Sequence, residues 1–123
     1  MAISYTCIIA DDDEIDRLTT LSFVRKYPHI HVKGVFASAE EALSKMNTPL
    51  PDIAFLDVDM PGLSGLVLRK KLMNIPACIF ITAYPDYAVE GFDLEALDFL
   101  VKPIQAERFQ KAIHRVEAFL MLR

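Results

Sequence analysis

The sequence is poor in the residues that would point to a disulfide-stabilised, thiolate–metal or membrane-spanning protein. Its 123 residues include two cysteines and no tryptophan. Cys7 and Cys78 lie inside apolar runs, with no CxxC motif and no cluster with histidine, so we expect two buried free thiols rather than a disulfide. The longest apolar runs have five or six residues, far short of the roughly 20 that span a bilayer. The N-terminus lacks the basic and apolar segments of a secretion signal, which favours a cytoplasmic protein.

Positive charge is also scarce. Thirteen Lys and Arg stand against 17 Asp and Glu, which gives a net charge of −4. A domain that binds nucleic acid directly usually carries a basic patch, so we expect no direct DNA binding by this chain. The hydrophobic content of 53% excludes a disordered chain, and the length fits one domain.

Five short apolar runs alternate with segments of helical periodicity. The runs cover residues 6–10, 30–36, 53–56, 77–81 and 97–101, and the predicted helices cover 14–26, a segment that begins after the cap residue Ser38, 66–73, 86–94 and 105–121. This alternation predicts a parallel sheet with helices on both faces. Polar His31 and Lys33 alternate with apolar residues in the second run, as in an edge strand. We therefore predict an α/β, flavodoxin-like (βα)5 doubly wound fold with a parallel five-stranded sheet in the order 2-1-3-4-5.

Apolar spacing within the helices predicts which side chains face the core. The inward residues are expected to be Ile15, Leu18, Leu21 and Val24 in the first helix, Ala39, Ala42, Leu43 and Met46 in the second, and Phe109, Ala112, Ile113, Val116 and Leu120 in the last. The three histidines have no acidic or thiol partner at a plausible spacing. They are expected at the surface: His29, His31 and His114.

Acidic residues follow two of the predicted strands. Asp11–Asp13 come after the first strand and Asp57 ends the third. In the order 2-1-3-4-5 these two strand ends adjoin where the strand order reverses, so Asp11, Asp12 and Asp57 should share one crevice. Two carboxylates about 5 Å apart repel by about 3 kcal/mol at an effective dielectric of 20. The cluster therefore requires a bound proton or a divalent cation, and an all-oxygen site with few protein ligands favours Mg²⁺, with Mn²⁺ as the alternative.

The remaining strand ends suit phosphoryl transfer. Thr82 ends the fourth strand with a hydroxyl, and Lys102 follows the fifth with a positive charge. Both groups and the cation would neutralise charge on phosphoryl oxygens. Asp57 is then a candidate nucleophile that forms an aspartyl phosphate. Asp13 is interpreted as the N-cap of the first helix.

The chain resembles the receiver domain of two-component response regulators over essentially its whole length. The resemblance rests on residues 8–13, 51–62, 80–83 and 98–103, each at a strand end. It implies that residues 1–123 form a receiver domain and that Asp57 accepts the phosphoryl group. It also implies that Asp11 and Asp12 hold Mg²⁺ together with Asp57, and that the backbone carbonyl of Asp59 completes the metal shell.

The same resemblance assigns the switching residues. Thr82 is the switch hydroxyl, Lys102 contacts the phosphoryl group, and the Lys102–Pro103 bond is expected to be cis. Phe99 is the aromatic residue that rotates inward, at a position where the family often has tyrosine. The face formed by the fourth helix, fifth strand and fifth helix would then change shape, and a homodimer through this face is one partner that it implies.

Residues 82–104 look like the LytR/AlgR-type subgroup, in which a receiver usually precedes a LytTR DNA-binding domain. No output domain is present in this chain, so control of transcription would require DNA contact through a further domain. The resemblance implies a sensor histidine kinase as the phosphoryl donor, and no turnover of an external substrate.

Three other functions compete with this interpretation. Asp57-Val58-Asp59 matches the D-x-D of haloacid-dehalogenase-type phosphatases, but that family places the motif on its first strand. A flavin-binding flavodoxin shares the strand order, but Asp11–Asp13 would repel the flavin phosphate. A receiver-shaped interaction module that is never phosphorylated is the third.

Overall fold

The computed structural model describes residues 3–87 and 93–123. Its centre is a five-stranded parallel sheet in the order β2-β1-β3-β4-β5, which confirms the predicted fold. The strands are β1 (Tyr5–Ala10), β2 (Ile30–Phe36), β3 (Ile53–Asp57), β4 (Ala77–Thr82) and β5 (Asp98–Val101).

Four α-helices lie within the described ranges. They are α1 (Glu14–Val24), α2 (Ala39–Lys45), α3 (Gly65–Lys71) and α4 (Ala106–Met121), and a 3₁₀ turn covers Pro85–Tyr87. Asp13, Ser38 and Ser64 cap the first three through their side chains, as Ser, Asp and Thr do at helix N-termini. The helix predicted over 86–94 lies mostly outside the described residues. No helix of the described ranges has the length and apolar character needed to cross a bilayer.

The sheet separates two hydrophobic cores, as continuous apolar strands require. All described residues of β3 and β4 are buried. On one side Phe109 of α4 stacks on Phe23 and Phe55, with ring centroids 5.2 and 5.7 Å apart, and the predicted stripe of α4 is buried throughout. Cys7 and Cys78 are free and buried, as predicted, and burial raises the pKa of both thiols to about 12.

The predicted inward face of α1 is correct at two positions and wrong at two. Val24 is buried and Leu21 packs against the core, as predicted. Ile15 and Leu18 are instead 74% and 53% exposed, and Thr20 is buried. A spacing of three residues drifts by about 60° around the axis at each step, because each residue turns about 100°. Ile15 therefore lies opposite Val24. In α2, Leu43 is also exposed, while small Ala39 and Ala42 are buried.

The surface interpretation of His29 also needs correction. Its ring nitrogen Nε2 forms a hydrogen bond with the carboxylate of Glu117 in α4, because the loop after α1 lies beside that helix. His31 and His114 are exposed, as predicted.

The outer edge of β5 is covered by an ion pair. Asp98 is buried, and Arg108 of α4 contacts both of its carboxylate oxygens at 2.9 and 2.5 Å. The Phe99 N–H donates to Asp98 at 2.8 Å, and the Phe99 carbonyl accepts from Arg108 at 3.4 Å. Burial raises the pKa of Asp98, but these hydrogen bonds and the charges of Arg108 and Arg115 outweigh it and hold the pKa below its usual value. The backbone of Phe99 is therefore already bonded on this edge strand.

A buried arginine joins α3 to the segment that precedes β5. Arg69 is 2% exposed, and its guanidinium donates to the carbonyls of Leu72, Ile75 and Leu94 at 3.2, 2.7 and 2.9 Å. Its donors satisfy carbonyls that would otherwise lose hydrogen bonds in the interior.

Replacement of Arg69 with methionine should lower the free energy of unfolding by about 1–2 kcal/mol. It keeps the apolar stem but removes a donor from each of three carbonyls, and within the described ranges the Leu72 carbonyl alone among them has a second donor, the Ile75 N–H. Urea unfolding followed by circular dichroism measures the change. Lys70→Met is the matched control because Lys70 is exposed on the same helix. An equal loss in both variants would show that the buried hydrogen bonds contribute nothing.

Candidate functional site

Three carboxylates meet at the carboxyl ends of β1 and β3. One ligand oxygen from each of Asp11, Asp12 and Asp57 lies within 4.8 Å of the others. Asp11 and Asp57 are buried, whereas Asp12 is exposed. The parallel sheet brings together residues that are 45 or more positions apart, as expected where the strand order reverses.

The loop after β1 holds Asp11 through its backbone and its side chain. The Asp11 N–H donates to Phe36 O of β2 at 3.0 Å. Its Oδ1 accepts from the Asp13 N–H at 3.0 Å, and its carbonyl accepts from Arg17 Nη1 at 2.9 Å. Asp13 in turn accepts from the Asp16 N–H, which confirms Asp13 as the cap of α1. The sequence Asp-Asp-Asp therefore supplies two crevice acids followed by a helix cap.

The end of β3 fixes the backbone of Asp57. The next residue, Val58, donates to Ile81 O of β4 at 3.0 Å and accepts from the Gly65 N–H at 2.9 Å. A Cβ on Gly65 would overlap the Asp57 carbonyl oxygen, so only glycine allows α3 to begin this close to the strand.

Lys102 extends into the crevice from the residue that follows β5. Its N–H donates to Thr82 O at 2.7 Å, and its peptide bond to Pro103 is cis. Its Nζ lies 3.1 Å from Asp11 Oδ2, 3.4 Å from Asp57 Oδ1 and 2.8 Å from Asp16 Oδ2. One ammonium group thus faces three carboxylates.

Burial and mutual repulsion raise the pKa values of Asp11 and Asp57 in this crevice. Burial, the charge of Asp11 and a hydrogen bond with Asp12 raise the pKa of Asp57 to about 8, although Lys102 opposes the shift. Burial also raises the pKa of Asp11, against a hydrogen bond from Asp13 and the charge of Lys102. Burial lowers the pKa of Lys102, but its hydrogen bond to Asp16 and the charges of Asp57 and Asp11 outweigh this and hold it above the usual range. The cluster needs more positive charge than Lys102 supplies.

The donor set fits a hard divalent cation. Asp11 Oδ2 is buried and accepts no hydrogen bond, although Lys102 Nζ faces it at 3.1 Å. Octahedral Mg²⁺ at about 2.1 Å from each oxygen places its ligands about 3–4 Å apart, close to the spacing of the three carboxylates. Exposure of Asp12 leaves room for the waters that Mg²⁺ keeps.

The other residues predicted for the site, Thr82, Phe99 and Asp59, differ in how deeply they are buried. Thr82 is buried at the end of β4, and its Oγ1 accepts from the Tyr84 N–H at 3.0 Å. Phe99 of β5 is half-buried, with its ring 6.0 Å from that of Phe80. Asp59 follows Asp57 in the loop before α3 and is exposed.

Sequence reasoning missed Asp16, which makes the shortest contact with Lys102. The available sequence signal is that Asp16 is an acidic residue in the first turn of a helix that starts at the crevice. Which side of that turn faces Lys102 depends on the rotation of α1 about its axis.

A family model for the response regulator receiver domain matches residues 7–114. A response regulatory protein of Shewanella oneidensis is 36% identical over 113 residues, which cover 90% of this chain and 48% of that protein. The transcriptional regulatory protein BtsR of Salmonella typhi is 34% identical over 111 residues, covering 89% of this chain and 46% of BtsR. The chain therefore spans about half the length of the curated relatives it matches.

Solved structures agree with these sequence matches. The response regulatory domain of mrkE from Klebsiella pneumoniae superposes with a TM-score of 0.87 at 26% identity, over 96% of this chain and 99% of that one. The receiver domain of AraT, a response regulator from Geobacillus stearothermophilus, gives a TM-score of 0.86 at 28% identity, over 98% of each chain.

Proposed function

The chain belongs to the response regulator receiver family, and on that premise we propose that it accepts a phosphoryl group on Asp57 from a sensor histidine kinase. We take residues 1–123 as one receiver domain in two-component phosphorelay signal transduction. The observation that carries the proposal is the buried Asp57 carboxylate beside Asp11, Asp12 and the Lys102 ammonium. The family consists of phosphoacceptor signalling domains, so we expect no turnover of an external substrate.

The proposed chemistry uses each of these groups once. An Asp57 carboxylate oxygen forms a bond to phosphorus while the bond between phosphorus and the donor's leaving group breaks, and the leaving group departs with that bond's electron pair. Lys102 neutralises charge on the phosphoryl oxygens. Asp11, Asp12, Asp57 and the Asp59 carbonyl would hold Mg²⁺, which shields phosphoryl charge and keeps Asp57 ionised.

Switching is proposed to run from Thr82 to β5. The Thr82 hydroxyl lies at the end of β4, next to the strand that carries Phe99. Movement of Thr82 towards the phosphoryl group would free space into which Phe99 turns. The surface that changes would comprise β5, α4 and the helix predicted over 86–94, which lies mostly outside the described residues. It would bind a partner or a second copy of the chain.

The surface of α1 fits a protein as the phosphoryl donor. Ile15 and Leu18 are exposed apolar side chains, and Ile15 lines a groove that also contains Asp16 and Lys102. An apolar contact patch at the rim of a charged pocket suits a macromolecule that must deliver its phosphoryl group to Asp57.

The output is proposed to be control of transcription from the cytoplasm. A relative is named as a transcriptional regulatory protein, and residues 82–104 resemble the LytR/AlgR-type subgroup. In this proposal a LytTR-type domain outside these 123 residues contacts DNA, since the acidic receiver does not favour nucleic acid.

Incubation with radiolabelled acetyl phosphate and Mg²⁺ tests the proposal. We expect one acid-stable, hydroxylamine-sensitive phosphoryl group per chain, as an acyl phosphate requires. No label should be incorporated when EDTA replaces Mg²⁺ during the incubation. A wild-type protein that stays unlabelled with Mg²⁺ present would contradict the proposal and favour an interaction module that is never phosphorylated.

Replacement of Asp12 with asparagine should weaken Mg²⁺ binding by about tenfold or more, because it removes one of three anionic ligands. Titration of the metal-free protein with MgCl₂, followed by isothermal calorimetry, measures the affinity. Asp13→Asn is the matched control, since Asp13 caps α1 and asparagine caps equally well. Equal affinities of the two variants would remove Asp12 from the metal site.

A further inference from the structure

We propose that Asp16 is a positioning residue that holds the Lys102 ammonium away from Asp57 before phosphorylation and so slows uptake of the phosphoryl group. This inference rests on the proposed function and assigns a role to a residue outside the motifs that carry the family resemblance. Asp16 acts through Lys102, so it sets the rate of the reaction without touching the reacting atoms.

The contacts of Lys102 favour Asp16 over Asp57. The Nζ atom donates to Asp16 Oδ2 at 2.8 Å, whereas Asp57 Oδ1 lies at 3.4 Å. The third carboxylate, Asp11, lies at 3.1 Å. Hydrogen bonds between ammonium and carboxylate groups are strongest at about 2.7–2.9 Å, so the shortest contact marks the partner towards which the lysine side chain is drawn.

The two partners differ in their access to water. The Asp16 side chain is 40% exposed, and that of Asp57 is 3% exposed. Water can replace Lys102 at Asp16 at little cost, because exposed ion pairs are weak. The bond can therefore open when a stronger anion arrives at Asp57.

Phosphorylation would create this stronger anion. A phosphoryl group adds about 1.5 to 2 negative charges and several strong acceptor oxygens, and Lys102 must turn towards them. Until it does so, Asp16 competes for the ammonium group. Removal of the Asp16 carboxylate should therefore lower the barrier to uptake.

Asp16→Asn tests this directly, with Glu14→Gln as its matched control. Both remove one negative charge from the first turn of α1, but Asp16 is the residue bonded to Lys102. We expect Asp16→Asn to speed labelling by acetyl phosphate and Mg²⁺ by about two- to fivefold, the range that matches the weak coupling of exposed ion pairs. Glu14→Gln should stay within about 1.5-fold of wild type because the Glu14 side chain is exposed, where salt and water screen its charge. A rate for Asp16→Asn that equals that of the control, or falls below it, would overturn the inference.

A double-mutant cycle shows whether Asp16 acts through the lysine. In a Lys102→Gln background, Asp16→Asn should give no more acceleration than Glu14→Gln does. If the full gain persists without the Lys102 ammonium, Asp16 acts by charge alone and the positioning role is wrong.

A third measurement needs no phosphorylation. The ¹⁵Nζ signal of Lys102 should shift in Asp16→Asn and not in Glu14→Gln, because only the first variant removes a hydrogen-bond partner. An unchanged signal would refute the contact itself. If wild-type protein takes no label at all, the proposed function fails while this signal still reports on the pair, so the two failures are distinguishable.

Discussion

Labelling by acetyl phosphate should fall by about a hundredfold or more when Asp57 is replaced with asparagine, since the amide cannot act as the nucleophile that forms the acyl phosphate. Asp57 is buried with its Oδ1 3.4 Å from the Lys102 ammonium, and one of its carboxylate oxygens lies within 4.8 Å of ligand oxygens of Asp11 and Asp12. Asparagine has nearly the same shape, so the loss should be chemical rather than structural. Autoradiography of the acid-quenched protein measures it.

Asp13→Asn controls for the loss of a negative charge near the crevice and should be labelled at close to the wild-type level. Label in Asp57→Asn equal to that in wild type would exclude Asp57 as the acceptor. Continued release of phosphate from a phosphate ester by the wild-type protein would instead favour the phosphatase with a D-x-D motif.

The same substitution should stabilise the metal-free protein. The pKa of Asp57 is raised from 3.8 to about 8 by burial, the charge of Asp11 and a hydrogen bond with Asp12, against the opposing effect of Lys102. A carboxyl group whose pKa is higher in the folded state favours folding while it is protonated. The contribution of protonated Asp57 to the free energy of unfolding is therefore complete below about pH 4, and it is lost as the pH rises through about 8.

At pH 8 in EDTA, Asp57→Asn should therefore unfold with a free energy about 2 kcal/mol higher than wild type, after allowance for screening by solvent at the open side of the crevice. The difference should shrink as the pH falls towards 4. Urea unfolding at several pH values measures it. Mg²⁺ should reverse the order, because the cation binds the ionised wild-type site and stabilises the folded state.

Asp86→Asn is the charge control, because Asp86 is exposed in the 3₁₀ turn. Its stability should follow that of wild type at each pH. A wild-type protein that equals Asp57→Asn at pH 8 in EDTA would show that the crevice does not penalise the Asp57 carboxylate.

The fold and the acidic cluster could be predicted because both follow from regular spacing. The apolar runs 53–56 and 77–81 are central strands, and a parallel sheet places the ends of all its strands on one edge. That Asp11, Asp57 and Lys102 meet could therefore be predicted without knowledge of their side-chain conformations. The N-caps Asp13 and Ser38 were equally accessible because a cap depends on local sequence.

The contacts that were missed depend on orientation rather than on spacing. Ile15 and Leu18 were predicted to face the core because apolar residues spaced three apart resemble one face of a helix over a short stretch. Asp16 became the partner of Lys102 only once the rotation of α1 about its axis was known. The partners of Arg69 are carbonyls near irregular turns, which no side-chain pattern marks.

The ion pair that covers β5 limits how this protein can meet another copy of itself. Asp98 and Arg108 already occupy the peptide groups of Phe99, so a neighbouring strand would have to displace these bonds to pair with β5 at that residue. Association on this side must rely on side chains such as the exposed Val101 and Arg115. A junction made of side chains alone would be easier to separate than a sheet continued from one molecule into the next, and so would suit an association that the proposed phosphorylation of Asp57 turns on and off.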